Sequence, residues 1–215
     1  MTKHCKAGTV TIGNDQPLTV IAGPCVLESL EMGLEIGRAM LDACRAAGVQ
    51  YIFKASFDKA NRSSITSYRG PGLDQGLAWP SEIRETPGVP ATTDIHEPSQ
   101  AEPGAAAMDI LQIPAFLSRQ TDLLLAAGEA AAKHGRAVNV KKGQFMAPAE
   151  MAGPIKKLGE AGCDNLMLTE RGTFFGYHKL VNDFTGLGDL LELGPPVCFD
   201  VTHSTQLPGS GSQTG

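Results

Sequence analysis

The sequence has no cysteine pair at a recognisable spacing. Its five cysteines, Cys5, Cys25, Cys44, Cys163 and Cys198, are scattered and odd in number. That excludes a disulfide framework and predicts a reducing, cytoplasmic setting. No secretory signal pattern and no apolar run long enough to span a bilayer are present, so no membrane partner is expected. Positive charge is not in excess either. A formal net charge of −5 argues against non-specific nucleic-acid binding and leaves room for a local basic pocket. A nucleophile elbow, a P-loop and a dinucleotide fingerprint are all missing. What remains is a chain of 215 residues, 42% hydrophobic, which suffices for one globular domain with a sizeable core.

Strand signals alternate with helical ones along the chain. Residues 1–17 read as a small N-terminal β cap, in which Thr9 to Ile12 is expected to pair with the next apolar segment across the turn at 13–17. Strands are predicted at 18–22, 51–57, 89–94, 108–112, 137–141, 165–169 and 196–200. Helices are predicted at 28–47, closed by Gly48, at 73–86, interrupted by Pro80, at 98–105, 122–134, 149–161 and 186–193. The stretch 207–215 contains no element and is expected to be a flexible loop. Residues 18–206 thus carry seven strands with helices between them, a parallel α/β pattern.

Strand parity selects the architecture. Phe53, Ala55 and Phe57 oppose Lys54 and Ser56. Val138 and Val140 oppose Asn139 and Lys141; Leu166 and Leu168 oppose Thr169 and Arg171; Leu111 and Ile113 oppose Gln112. A sheet covered by helices on both faces would give near-continuous apolar runs. One apolar and one polar parity instead fits a (β/α)8 barrel, with the polar set facing the lumen and chemistry at the C-terminal mouth. Lys54, Asp94, Gln112, Asn139, Lys141, Arg171 and Asp200 are thereby placed around one mouth. A barrel takes eight strands and about 250 residues, so the last helix, strand and helix have no sequence here to form from.

Four cations converge on that mouth: Lys54, Lys59, Lys141 and Arg171, with Arg62 nearby. Arg offers a bidentate fork and Lys a mobile point charge, which suits a small substrate carrying phosphate and carboxylate. The bland reading of 59–63 is a solvated loop after an edge strand. Cys25 and His203 each lie just past a strand end, and a thiolate with an imidazole suits a soft or borderline divalent metal. Against this, a buried Cys is commonly an inert small hydrophobe. His96, His134, Cys44 and Cys163 look ordinary.

The segments 21–29 (Ile-Ala-Gly-Pro-Cys-Val-Leu-Glu-Ser), 53–64, 93–97, 111–117, 139–145, 169–172, 175–177 and 199–204 closely resemble 3-deoxy-D-manno-octulosonate 8-phosphate synthase, from about residue 18 to residue 209. The resemblance implies a (β/α)8 barrel capped by an N-terminal hairpin, usually a homotetramer. It implies condensation of phosphoenolpyruvate with D-arabinose 5-phosphate, with release of phosphate, on the way to the Kdo sugar of lipopolysaccharide. It assigns phosphoenolpyruvate to Lys54, Lys59, Gln112, Lys141 and Arg171, and arabinose 5-phosphate to Asn61, Arg62 and Ser63, with a neighbouring subunit completing the phosphate end. Lys59, His203 and Asp200 are the expected catalytic residues. Cys25 and His203 match ligands of the metal-dependent branch, which implies a divalent ion such as Zn, Fe or Mn. That branch's other two ligands, a Glu and an Asp, have no counterpart in these residues.

Two other readings compete. The related synthase making 3-deoxy-D-arabino-heptulosonate 7-phosphate shares the barrel and the Gly-Pro-Cys start, but typically carries Lys-Pro-Arg-Thr where residues 59–62 are Lys-Ala-Asn-Arg. The other is an inactive truncated barrel, expected if the polypeptide closes at Gly215, with an unpaired edge on the first and seventh strands.

Overall fold

The computed structural model describes residues 4–61, 65–86 and 88–207. The chain opens with β1 (Cys5–Ala7) and β2 (Val10–Ile12), then β3 (Thr19–Ala22), α1 (Leu30–Ala47), β4 (Gln50–Lys54) and α2 (Leu73–Glu85). It continues through β5 (Ala91–Asp94), α3 (Ala101–Ala107), β6 (Ile110–Ile113), α4 (Thr121–His134), β7 (Ala137–Lys141) and α5 (Ala152–Glu160). Last come β8 (Leu166–Glu170), β9 (Thr173–Phe174), β10 (Leu180–Val181), α6 (Phe184–Glu192) and β11 (Val197–Phe199).

Seven strands form one parallel sheet in the order β11-β8-β7-β6-β5-β4-β3. It is a curled, partly closed barrel wall with helices outside, the α/β architecture of a TIM-like barrel. Sequential strands sit side by side because each helix returns the chain to the same end of the sheet. The helices obey local rules. Ser29 caps α1 by accepting from the Met32 amide at 3.1 Å. Gly48 and Gly135 end α1 and α4 in the left-handed region, at φ +68° and +64°, where any other side chain is strained.

The two strand parities separate in three dimensions. Phe53 packs outward with Tyr51, Leu77 and Ile83, and Leu111, Ile113, Val138, Val140, Leu166 and Leu168 pack outward beneath α3, α4 and α5. Each such side chain, fully buried, contributes about 2 kcal/mol. The opposite parity faces the lumen. At the N-terminal end it is apolar: Ile52, Ile110, Ala137 and Met167 gather around Cys5, Ala7 and Val10. The β1–β2 hairpin therefore plugs the bottom of the barrel. The Gln50 amide ties it down by donating to Thr11 O, 3.0 Å, and Asn165 exchanges two 2.8 Å hydrogen bonds with the Lys6 backbone.

Two expectations need correction, and one element carries no sequence signal. Val10–Ile12 pairs backward with Cys5–Ala7 rather than forward, because a tight turn at Gly8 brings the two short strands together so that their apolar side chains share one face. Pro80 does not interrupt its helix: α2 runs through it with Leu77, Pro80 and Ile83 buried, and that packing outweighs one lost hydrogen bond. The small antiparallel pair β9–β10 carries no period-two signal, being two residues long on each side. Apart from Leu207, the stretch expected to be a flexible loop lies outside the described residues.

Candidate active site

The lumen side chains change character near the C-terminal ends of the strands. Lys54 is the last residue of β4, and its ammonium lies 2.9 Å from Asp94 Oδ2 and 2.9 Å from Ser56 Oγ. Asp94, last in β5, also accepts from Ser56 and from the Gln112 amide of β6. Gln112 in turn accepts from Asn139 Nδ2 of β7 at 3.2 Å, and Asn139 accepts from Thr169 Oγ1 of β8 at 2.7 Å. This buried belt of hydrogen bonds crosses five neighbouring strands and fixes the height at which the cations emerge. Burial alone would raise the Asp94 carboxyl, but the Lys54 and Lys59 ammoniums outweigh it and hold Asp94 well below the usual carboxylate range.

On the far side, Lys141 Nζ is 2.5 Å from Asp200 Oδ2, and the same oxygen lies 2.8 Å from His203 Nδ1. Asp200 Oδ1 accepts the His203 amide at 2.9 Å. Arg171 donates from Nη2 to the His203 carbonyl at 3.1 Å. Asp200 is thus held ionised against its burial by His203 and Lys141, and the hydrogen bonds His203 donates to Asp200 and to Cys25 raise its imidazole above the ordinary value. Lys59 reaches Ser56 Oγ at 2.8 Å. Burial, then the nearby Lys54, lower the Lys59 ammonium. Cys25 is exposed at the end of β3, and its thiol is lowered to about 6, first by a hydrogen bond from His203 and, against burial, by Lys59.

These groups surround a cavity of about 430 Å³. Lys54, Lys59, Asn61, Gln112, Lys141, Arg171, Cys25 and His203 all line it, with Asp200 behind Lys141 and His203. Arg62 and Ser63 lie outside the described residues. A cavity with four cations on its wall suits a compact polyanion, since phosphate and carboxylate oxygens accept from N–H donors in a site partly shielded from water.

Sequence reasoning gave Ser56 no role, although it shares the parity of Lys54 and is the hydroxyl that both lysines and Asp94 meet. His96 is not the ordinary histidine it reads as: it lines the cavity and packs edge-on against Phe57, with ring centroids 6.1 Å apart. Asp58, Gln144 and Phe174 also line the wall. Only their closeness to strand ends, common to many residues, marks them in the sequence.

Donor chemistry at Cys25 and His203 fits a soft or borderline divalent metal. The thiol ionises easily, and Asp200 holds His203 by Nδ1, which leaves Nε2 for an ion, the carboxylate–histidine arrangement of many metal sites. Among the described residues no group of three or more His, Cys, Asp or Glu is arranged to hold a metal ion.

A family model described as the DAHP synthetase I family matches residues 2–215. The chain belongs to that family. Its relatives include proteins named 2-dehydro-3-deoxyphosphooctonate aldolase in several bacteria. That of Syntrophotalea carbinolica is 52% identical over 211 residues, 98% of this chain and 75% of the relative. That of Desulfotalea psychrophila is 53% identical over 96% of this chain and 73% of its own length. That of Hahella chejuensis is 52% identical over 99% and 74%.

Proposed function

We propose that this family member condenses phosphoenolpyruvate with D-arabinose 5-phosphate to 3-deoxy-D-manno-octulosonate 8-phosphate and phosphate, in the synthesis of Kdo for lipopolysaccharide. The observation that carries this reading is the convergence of Lys54, Lys59, Lys141 and Arg171 on one cavity. The name shared by relatives about half identical over nearly the whole chain supports it. The heptulosonate alternative is not favoured by those names, nor by Lys-Ala-Asn-Arg at residues 59–62.

In this reading the cations hold the phosphate and carboxylate of phosphoenolpyruvate, and Gln112 fixes its orientation. Asn61, with Arg62 and Ser63, takes the sugar phosphate. C3 of phosphoenolpyruvate attacks the aldehyde carbon, forming the new C–C bond, and the aldehyde oxygen takes a proton. Lys59, whose ammonium burial makes easier to deprotonate, gives it. Water adds at C2 and releases its proton to solvent. The C2–O bond to phosphorus then breaks and phosphate leaves. Positioning and charge stabilisation carry most of the rate. A divalent metal held by Cys25 and His203 would polarise the aldehyde or the water. We place the enzyme in the cytoplasm, since both substrates are charged metabolites. A homotetramer is the expected assembly.

The test uses phosphoenolpyruvate carrying ¹⁸O at the bridging oxygen, with arabinose 5-phosphate. The labelled oxygen should leave in the phosphate, and Lys59→Ala should lower turnover at least ~100-fold with unchanged circular dichroism. Unlabelled phosphate, or near-normal turnover in Lys59→Ala, contradicts these roles.

A further inference from the structure

Lys142 is the direct neighbour of the cavity lysine Lys141, yet strand alternation turns it away from the lumen. It is 1% exposed. The neighbouring outward positions of β7, Val138 and Val140, are apolar and pack against helices. A lysine there, with the carboxylate it pairs, carries a large desolvation cost, and well-packed apolar residues at both positions would give equal or better stability. Stability therefore does not explain it, and its contacts suggest what does. Its ammonium donates to Met146 O at 3.1 Å and Thr173 Oγ1 at 3.3 Å, reaches Gly143 O at 3.4 Å, and lies 3.5 Å from Glu170 Oε2. One charge thus ties together the turn after β7, the end of β8 and the start of β9.

Glu170 is also buried, at 4% exposure. Its other carboxylate oxygen, Oε1, accepts the backbone N–H of Arg171 at 2.8 Å and of Gly172 at 2.7 Å. Its carbonyl accepts the Asp200 amide at 2.9 Å. Glu170 therefore sets the direction of the peptide from which Arg171 projects, and Lys142 sets Glu170. The guanidinium itself has one described tether, to the His203 carbonyl. A fork on a long side chain needs its base fixed if it is to meet an anion without losing affinity to its own freedom.

We infer that Lys142 and Glu170 are a buried positioning pair for Arg171, acting on anion binding through the backbone at residues 170–172 and through no contact with substrate. The kinetic part rests on the phosphoenolpyruvate reading of Arg171 given above. Lys142→Met and Glu170→Gln each break the pair. Glu170→Gln keeps the shape but turns an amide donor towards an ammonium, so it serves if Lys142→Met fails to fold. In the full enzyme each variant should raise KM for phosphoenolpyruvate at least ~10-fold and change KM for arabinose 5-phosphate less than about 2-fold. In an Arg171→Ala background neither should add a further loss, because the residue they act through is gone. Equal loss for both substrates, or a full additional loss in the Arg171→Ala background, overturns the proposal.

A crystal structure of the Glu170→Gln variant gives a readout independent of substrate. The Arg171 to His203 carbonyl bond should be absent, and its retention overturns the proposal. If Arg171→Ala leaves phosphoenolpyruvate kinetics intact while that bond is lost in the variant, the substrate reading fails and the positioning pair stands.

Discussion

Asp94 is the residue on which the site's electrostatics turn. It is the buried anion among Lys54, Lys59 and Lys141, and removing its charge leaves Lys54 without its ion-pair partner. Asp94→Asn should cost about 3 kcal/mol of stability at neutral pH, as for breaking other buried pairs, measured by urea denaturation. The pH dependence has a definite sign. The folded carboxyl lies below its unfolded value of about 4, so its stabilisation is full above that value and is lost as pH falls towards the folded one. The wild type should lose stability steeply below about pH 4 and Asp94→Asn less so. An acid limb of equal steepness in both would remove Asp94 from its central place. The sequence places Asp94 at the mouth by parity. Its partners are less legible: a serine two residues past a lysine carries no mark of meeting two ammoniums. Lys142 is illegible for the opposite reason, since a lysine beside a lysine reads as solvated until the turn that follows it and the distant stretch 170–173 are seen to fold over it.

At the scale of elements, the parallel strands are readable because most have one apolar and one polar parity, and the helices because Ser29, Gly48 and Gly135 punctuate them. Errors fall where tertiary packing overrides local signals. Pro80 reads as a break, yet α2 continues because it is seated on Phe57 and the barrel wall. The closest point is Gly76, where an added Cβ would stand 2.0 Å from Phe57 Cβ, a buried ring at 2% exposure. Gly76→Ala should therefore destabilise the fold by about 1–3 kcal/mol, despite alanine's better helix propensity. Thermal denaturation measures it, and a neutral or stabilising outcome would mean that α2 has room to shift. The β1–β2 hairpin shows a subtler limit. Its strand residues are evident in the sequence, but which neighbour they pair with depends on the lumen residues they must cover.

For the whole molecule, the cavity is the meeting place of seven strand ends and the loops that extend from them. Large apolar side chains remain exposed around its rim and nearby: Phe116 at 50%, Phe145 at 48%, Phe175 at 66% and Tyr177 at 77%. Such a concentration matches a surface covered by other copies, in keeping with the expected homotetramer. Light scattering should give four chains, and a monomer at micromolar concentration would contradict that assembly. Function rests on the pairing of two substrates in one cavity, and the most direct test is substrate choice. With phosphoenolpyruvate present, kcat/KM should favour arabinose 5-phosphate over erythrose 4-phosphate at least ~100-fold, with one phosphate released per octulosonate formed. Preference for erythrose 4-phosphate, or phosphate release without the eight-carbon product, would contradict the account.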